Sequence, residues 1–394
     1  MRISRASRPV VASSTRPPAV AIHPVGLDPV GLDPAVLDPR LLGFHASWSP
    51  RRRTRAAMAT LTALLAAAFL AAIAFGSVSI PLSQVIRALL GRSVRESSWT
   101  TIVWSVRLPR ACTAVCAGAA LASAGLVLQT FFRNPLADPT VLGVSAGAGL
   151  GVALAVLGSS AAGFQLLGHD GPFARLGIVA ASFVGAAAVL AVILVVARRV
   201  GHRSTVLIVG LMVGFALSSI VSVLVSVSTN EQLRSFVVWG QGSFRGTSWP
   251  DVAVLAGAVC LGAAVLVVLA KPLDAVLLGD RTATSLGVDL RRLRLAVIGV
   301  TAVLTATVTA FCGPIAFLGI AVPHLTRGLL RQARHRVLLP ATALCGAAMA
   351  LICEIVAQLP GSDRVLPLNA ITALLGAPVV VWVLLRRRGS EQAA

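Results

Sequence analysis

The chain has 394 residues, of which 56% are hydrophobic and 12% charged, with a mean hydropathy of +0.87. A soluble domain of this length needs more charge to stay dispersed, so the composition points away from a soluble globule and toward a polytopic membrane protein. The formal net charge of +20 would suggest nucleic acid in a soluble chain, but these arginines stand between apolar stretches, where they set orientation. Little soluble surface is left for a nucleic acid, and no such partner is expected.

Residues 1–55 differ from the rest. Proline and arginine are frequent, and a five-residue unit recurs as Val25–Pro29, Val30–Pro34 and Ala35–Pro39, each ending Leu-Asp-Pro. A proline every fifth residue removes a backbone donor and blocks regular helix, so a disordered cytoplasmic tail is expected. The first apolar segment begins too late for a signal peptide.

A membrane domain over 56–390 follows. Apolar segments lie near 57–76, 108–131, 140–159, 176–197, 205–227, 251–270, 293–312, 314–330, 338–358 and 367–385. A bilayer core of about 30 Å needs about 20 apolar residues per helix, so the pattern predicts an all-α membrane protein with about ten transmembrane helices. The eighth segment is short and opens at Gly313-Pro314, which predicts a broken or tilted span. With the N-terminus inside, the even number of spans returns the C-terminus to the cytoplasm. Outside the tail, the inner loops then carry 16 Arg and Lys residues and the outer ones 9, as the positive-inside rule requires. Five of those nine, Arg87, Arg92, Arg95, Arg107 and Arg110, crowd into the first outer loop.

Several chemistries lack their residues. The only lysine, Lys271, is followed by Pro272, whereas a phosphate-binding loop needs Lys followed by Ser or Thr. If ATP drives this protein, a separate subunit hydrolyses it. Apart from Asp251 at the edge of its segment, Glu354 is the only acid inside a predicted span, which makes ion coupling unattractive, since such carriers place several ionisable groups near the midplane. A structural hydrogen bond to a neighbouring helix is the expected role of Glu354. No nucleophile–base–acid constellation is visible, so the chain does not read as an enzyme. Cys112 and Cys116 share a helical face but read, with Cys260, Cys312, Cys345 and Cys353, as small packing residues; no metal site is expected. His324 and His335 lie near an inner loop, where solvated or capping roles are expected.

The motifs come next. Arg107-Leu-Pro-Arg110 opens a small-residue helix containing Gly118, Gly125 and Gln129; Asn134-Pro-Leu-Ala-Asp-Pro139 turns the chain. Gly143, Gly147 and Gly151 then repeat at four-residue spacing, a strip for close helix contact. Further on come Trp239-Gly-Gln-Gly-Ser243, Leu278-Gly-Asp-Arg-Thr-Ala-Thr-Ser-Leu-Gly-Val288, Gly313-Pro-Ile-Ala-Phe-Leu-Gly319, Val322-Pro-His-Leu-Thr-Arg327 and Leu375-Gly-Ala-Pro378. In this order, from Trp104 to Leu385, the string resembles the FecCD-type permeases, which import iron–siderophores, haem and cobalamin with a binding protein and an ATPase.

The resemblance implies an ABC type II importer permease fold, two permease copies (a homodimer or a pair of paralogues) around a central pathway, and a separate ATPase that uses ATP and Mg²⁺. It implies that Gly279, Asp280, Arg281, Ala283, Leu286, Gly287 and Val288 form a coupling segment docking on that ATPase; the apolar Ala283, Leu286 and Val288 in an otherwise exposed loop agree. It also implies that Arg107 and Arg110 grip acidic residues of the substrate-binding protein. A third family arginine is replaced here by Gln358, with Arg364 nearby as a substitute, and Val365-Leu-Pro-Leu-Asn369 departs from the family's Glu-Leu-Pro-Val-Gly. Gly210, Gly214, Ser218, Ser219, Ser222 and Ser226 on the fifth span are expected to line the pathway, where small and hydroxyl side chains make a weakly adhesive wall. The expected cargo is an iron chelate of the siderophore type. Haem and cobalamin stay open as cargo, and an ion-coupled secondary transporter is the competing class.

Overall fold

A computed structural model describes residues 50–76, 80–158, 172–200, 203–358 and 365–391. The repeat-bearing stretch 1–49 lies outside the described residues, as does Arg364. Each of the ten expected segments holds a helix. In chain order these are α1 (Pro50–Ala74), α4 (Leu108–Phe132), α5 (Val144–Leu157), α6 (Pro172–Arg199), α7 (Arg203–Ser226), α9 (Trp249–Leu277), α11 (Leu290–Cys312), α12 (Leu318–Leu330), α13 (His335–Ala357) and α14 (Leu368–Glu391). Three shorter helices were not foreseen, α2 (Leu82–Leu89), α3 (Ser97–Thr101) and α8 (Asn230–Gly240), and a fourth, α10 (Asp280–Ser285), falls in the expected coupling segment.

Two boundaries move, each for a local reason. Helix α1 starts at Pro50, so Arg51 to Arg55 are helical rather than part of the tail; proline at a first helical position gives up only an N–H that has no partner there. Helix α9 runs past Lys271-Pro272 to Leu277, although Pro272 deprives one carbonyl in the preceding turn of its partner.

Helix α4 is the hub. It packs against α9, α11, α12 and α13, and 78% of its apolar window is buried, against 11% for α7. Small residues make these approaches possible. A Cβ on Gly125 would sit 1.9 Å from the Gly319 carbonyl oxygen of α12, and one on Gly118 would sit 2.2 Å from the Gly346 carbonyl oxygen of α13. The expected strip on α5 behaves alike against α6, with Gly147 facing Gly185 and Gly151 facing Ala181. Backbones that touch gain dispersion contacts unavailable to helices held apart by long side chains, and between helices in lipid that packing is a main cohesive term.

Among the described residues, seven helices are long and apolar enough to cross a membrane; α5 and the apolar part of α14 are shorter. With 14 residues, α5 rises about 21 Å. A 3₁₀ turn at Pro139–Leu142 precedes it, capped by Asp138, whose carboxylate accepts from the Thr140 N–H at 2.8 Å. Burial pushes the Asp138 carboxyl above its ordinary value. The break expected at Gly313-Pro314 is real: α11 stops at Cys312, and α12, 13 residues long, begins only at Leu318. Backbone groups freed by a break must find partners inside the protein. The Ala316 N–H donates to Asn369 Oδ1 (2.9 Å), the Cys312 carbonyl accepts from the Ser243 N–H (2.7 Å), and the Asn369 N–H donates to the Gln241 carbonyl (3.1 Å). The Trp-Gly-Gln-Gly-Ser turn thus docks on the break. The contact needs one glycine on each side, since a Cβ on Gly242 of the turn (φ 70°) would meet the Pro314 carbonyl oxygen at 2.8 Å and one on Gly313 of the break (φ 71°) the Trp239 carbonyl oxygen at 2.4 Å.

Gly125→Val should separate α4 from α12 and lower stability by about 3 kcal/mol, read as a drop in the thermal midpoint of the detergent-solubilised protein. Gly299→Ala, where a Cβ meets nothing within 4 Å, should leave the midpoint unchanged or raise it slightly.

Candidate functional site

The helices run back and forth, so the candidate residues collect at two ends. One end holds the C-terminus of α1, the start of α4 and the C-terminus of α13. Arg107, in a π-helical turn leading into α4, donates through one Nη to the Ile73 and Ala74 carbonyls at 2.7 and 2.8 Å. One turn on, Arg110 lies 3.3 Å from Glu354 Oε1 through its Nε and donates to Gln358 Oε1 at 2.7 Å. Gln358 in turn donates to Glu354 Oε1 at 2.9 Å. Arg110, Glu354 and Gln358 thus form a closed triangle, and Arg107, Arg110, Glu354 and Gln358 are all at most 7% exposed. Gly76 leaves room beside it, since a Cβ there would touch the Arg107 guanidinium at 3.0 Å and Gln358 Oε1 at 3.4 Å. Charges can be buried this deeply only when paired and hydrogen-bonded. The departure at Gln358 gains a physical role: a neutral amide accepts from one side of the ion pair and donates to the other, where an arginine would add a third cation.

The fifth-span residues divide. Gly210 is buried, its Cα facing Val141 and Leu142 so closely that a Cβ would lie 3.0 Å from each, and half-buried Gly214 faces Gly143 and Ala146. Both glycines let α7 press against the start of α5. Ser218, Ser219, Ser222 and Ser226 are exposed; Ser219 and Ser226 turn their hydroxyls back to the Phe215 and Val223 carbonyls. Around them Leu211, Met212, Phe215, Ile220 and Val223 are also exposed. The wall therefore shows small hydroxyl and apolar groups and no charge.

The opposite, basic end carries the segment after α9. Gly279 (φ 115°) starts the six-residue α10, and Gly287 (φ 83°) ends it. Of the three apolar positions, Ala283 is fully buried and Val288 packs on the core, while Leu286 is 63% exposed, next to the exposed Arg281 and Gly287. Ala283 and Val288 thus anchor the segment and Leu286 is presented. Arg133 straps α10 to the hub: from the left-handed C-cap of α4 (φ 50°) it donates to the Val276 carbonyl (2.9 Å) and to Asp280 Oδ1 (2.8 Å). Asp289 caps α11 through the Arg291 and Arg292 N–H groups, and the Arg292 N–H is the first cause of a carboxyl held below its ordinary range.

Polar contacts that sequence reasoning did not foresee fill this end. His335 is buried, with Nδ1 2.6 Å from Asp274 Oδ1 and Nε2 2.9 Å from the Thr130 hydroxyl; His324 Nε2 lies 2.9 Å from the Pro135 carbonyl. Of the solvated or capping roles expected for them, solvation does not hold, since both are buried and hydrogen-bonded. Gln129 donates to the Gly319 carbonyl at 3.2 Å and accepts from Arg327. The available signal was the polar residue inside an apolar helix, as at Gln129 and Thr130. Among the described residues no group of three His, Cys, Asp or Glu side chains could hold a metal ion.

A helical membrane bundle with a broken span, an exposed helix with an uncharged wall and a short helix presented at a basic end fits a transport permease. The chain matches the FecCD transport family over residues 64–386 and belongs to it. It is 34% identical over 345 residues to the vitamin B12 import system permease protein BtuC of Klebsiella pneumoniae, covering 86% of this chain and 96% of that one. It is 35% identical over 320 residues to the hemin transport system permease protein HmuU of Yersinia pestis, covering 80% and 92%. A solved structure described as an inward-facing conformation of a metal-chelate type ABC transporter superposes with a TM-score of 0.71 at 31% identity, covering 82% of this chain and 98% of that one. The protein is therefore an all-α, multi-span ABC importer permease of the type II fold.

Glu354→Ala should strand the Arg110 charge and cost about 3 kcal/mol. Arg110→Met combined with Glu354→Leu should recover most of that loss in the same thermal unfolding assay.

Proposed function

We propose that this permease passes an iron chelate of the siderophore type across the inner membrane, with both termini cytoplasmic. The observation that carries the reading is the uncharged wall of α7. Exposed Ser218, Ser219, Ser222 and Ser226 beside apolar side chains suit a bulky, polar metal chelate that must slide without being held. A small inorganic ion would need ligands, and this face offers none with charge. The apolar part of the same exposed helix suits burial against a second permease copy, which closes the pathway from the other side.

In this reading the basic end is cytoplasmic. An ATPase receives Leu286 and its neighbours from Asp280 to Val288, and ATP with Mg²⁺ acts there, outside this chain. A substrate-binding protein docks at the Arg107 end. Its carboxylates compete with Glu354 and Gln358 for Arg110, so the buried triangle opens as the partner arrives. The permease contributes shape and coupling and has no chemistry of its own.

Cobalamin and haem are the second reading, favoured by the names of the relatives. A deletion strain grown on single iron sources should lose growth on a ferric siderophore and regain it with the plasmid-borne gene. Unimpaired growth on every siderophore, with loss of growth on haem or of cobalamin-dependent growth, would reassign the cargo. For the coupling role, Leu286→Glu should abolish co-purification of the ATPase while leaving the permease's thermal midpoint unchanged, because that side chain is exposed and makes no core contact.

A further inference from the structure

The basic end contains a cavity of about 560 Å³ between the ends of α4, α9, α12 and α13. Three guanidinium groups line it: Arg133 at the C-cap of α4, Arg327 in the last turn of α12, and Arg331 at the C-cap of α12. We propose that this cavity binds the phosphate headgroup of an anionic phospholipid from the leaflet at that end.

Arginines that only set topology need nothing beyond a place in a loop. These are arranged. Arg327 is half-buried in the cavity wall, where the Gln129 side-chain oxygen, the Leu126 carbonyl (3.4 Å) and the Thr130 hydroxyl (3.3 Å) orient it. Arg331 is exposed in a left-handed conformation (φ 50°), and its side chain makes no hydrogen bond or ion pair among the described residues. Arg133 shares one charge with Asp280 at 2.8 Å, a pair about half exposed on both sides and so weak enough to exchange for a phosphate oxygen. The planar guanidinium fork suits phosphate better than an ammonium does. The rest of the wall includes Pro135, Leu277 and Leu338, which suits the glycerol and first acyl carbons more than a free ion.

The setting is the basic end of the bundle. Arg53 donates to the Leu329 carbonyl (3.0 and 3.1 Å), and Gln332 donates to the Thr54 hydroxyl (3.1 Å). These contacts hold the start of α1, with the exposed Arg51, Arg52 and Arg55 in its first two turns, at the same end of the bundle. Clusters of four or more basic residues at the end of a membrane helix attract anionic lipid.

The test is native mass spectrometry and thermal unfolding of the detergent-purified permease, titrated with phosphatidylglycerol, phosphatidylcholine or inorganic phosphate. The wild type should retain phosphatidylglycerol one-to-one and gain thermal stability from it alone. Arg327→Gln with Arg331→Gln should weaken that binding by roughly tenfold or more. Arg334→Gln with Arg336→Gln, outside the cavity lining, should not. If the first pair fails to fold, Arg331→Glu alone, at an exposed position, should give the same loss. Equal phosphatidylglycerol binding by wild type and cavity variants would overturn the site. Equal stabilisation by phosphatidylcholine would reduce it to an apolar groove, and equal stabilisation by inorganic phosphate would assign it to a free anion; either result overturns the lipid proposal. Loss of the bound lipid whenever the ATPase assembles would give the cavity to that interface and overturn it as well.

Discussion

In a bilayer, helices cohere by packing and by hydrogen bonds rather than by escape from water, and this molecule meets that demand by letting backbones touch. Gly125 on α4 lies against Gly319 on α12, and Gly118 against Gly346 on α13, with no room for a methyl group at either contact. Everything else hangs from α4. Its two ends carry the two polar clusters, Arg107 and Arg110 at one and Gln129, Thr130 and Arg133 at the other. A wider spacing would pull Gln129 from the Gly319 carbonyl and Arg110 from Glu354. The close contacts are thus also what bring the polar groups within reach of one another.

Most of the buried polar side-chain atoms among the described residues are paired, with those of Ser182, Trp239 and Thr342 among the exceptions. The break before α12 frees backbone groups that Asn369 and the Gln241–Ser243 turn take up. Arg110, Glu354 and Gln358 neutralise and orient one another. Such satisfied networks fix helix register, since a one-residue rotation would leave charges buried alone. The exposed α7, by contrast, has only 11% of its apolar window buried and keeps its serines out of internal side-chain networks. A densely packed hub thus stands beside a helix with few internal commitments, as the proposed pathway requires.

Much of this was legible in the amino-acid sequence because membrane physics leaves few options. Apolar segments of about 20 residues, Gly313-Pro314, and the four-residue glycine spacing on α5 each led to the element found. Helices α2 and α8 were missed since they are short and amphipathic, whereas α10 lies in the coupling segment that the resemblance had marked. The start of α1 was misplaced because arginines hide a helical turn from a hydropathy reading. The site was harder. Residue types at Arg107, Arg110 and Asp280 marked places but not orientations: the two arginines look exposed in a basic loop, yet both are buried, Arg107 against the Ile73 and Ala74 carbonyls and Arg110 against Glu354 and Gln358 on a helix distant in sequence. Gln358 and Asn369 stood out only as departures, and their partners were visible only once the chain was folded. The six fifth-span residues read alike in sequence, while the fold separates two packing glycines from four exposed serines.

The central claim is that movement through this chain is driven by ATP hydrolysed elsewhere and coupled through the Asp280–Val288 segment. The direct measurement is uptake of a radiolabelled ferric siderophore into proteoliposomes holding the permease and its ATPase, with the binding protein outside. The account predicts accumulation only with ATP and Mg²⁺ inside, unaffected by an uncoupler and lost with Leu286→Glu. Accumulation without ATP that follows a proton or sodium gradient would contradict it.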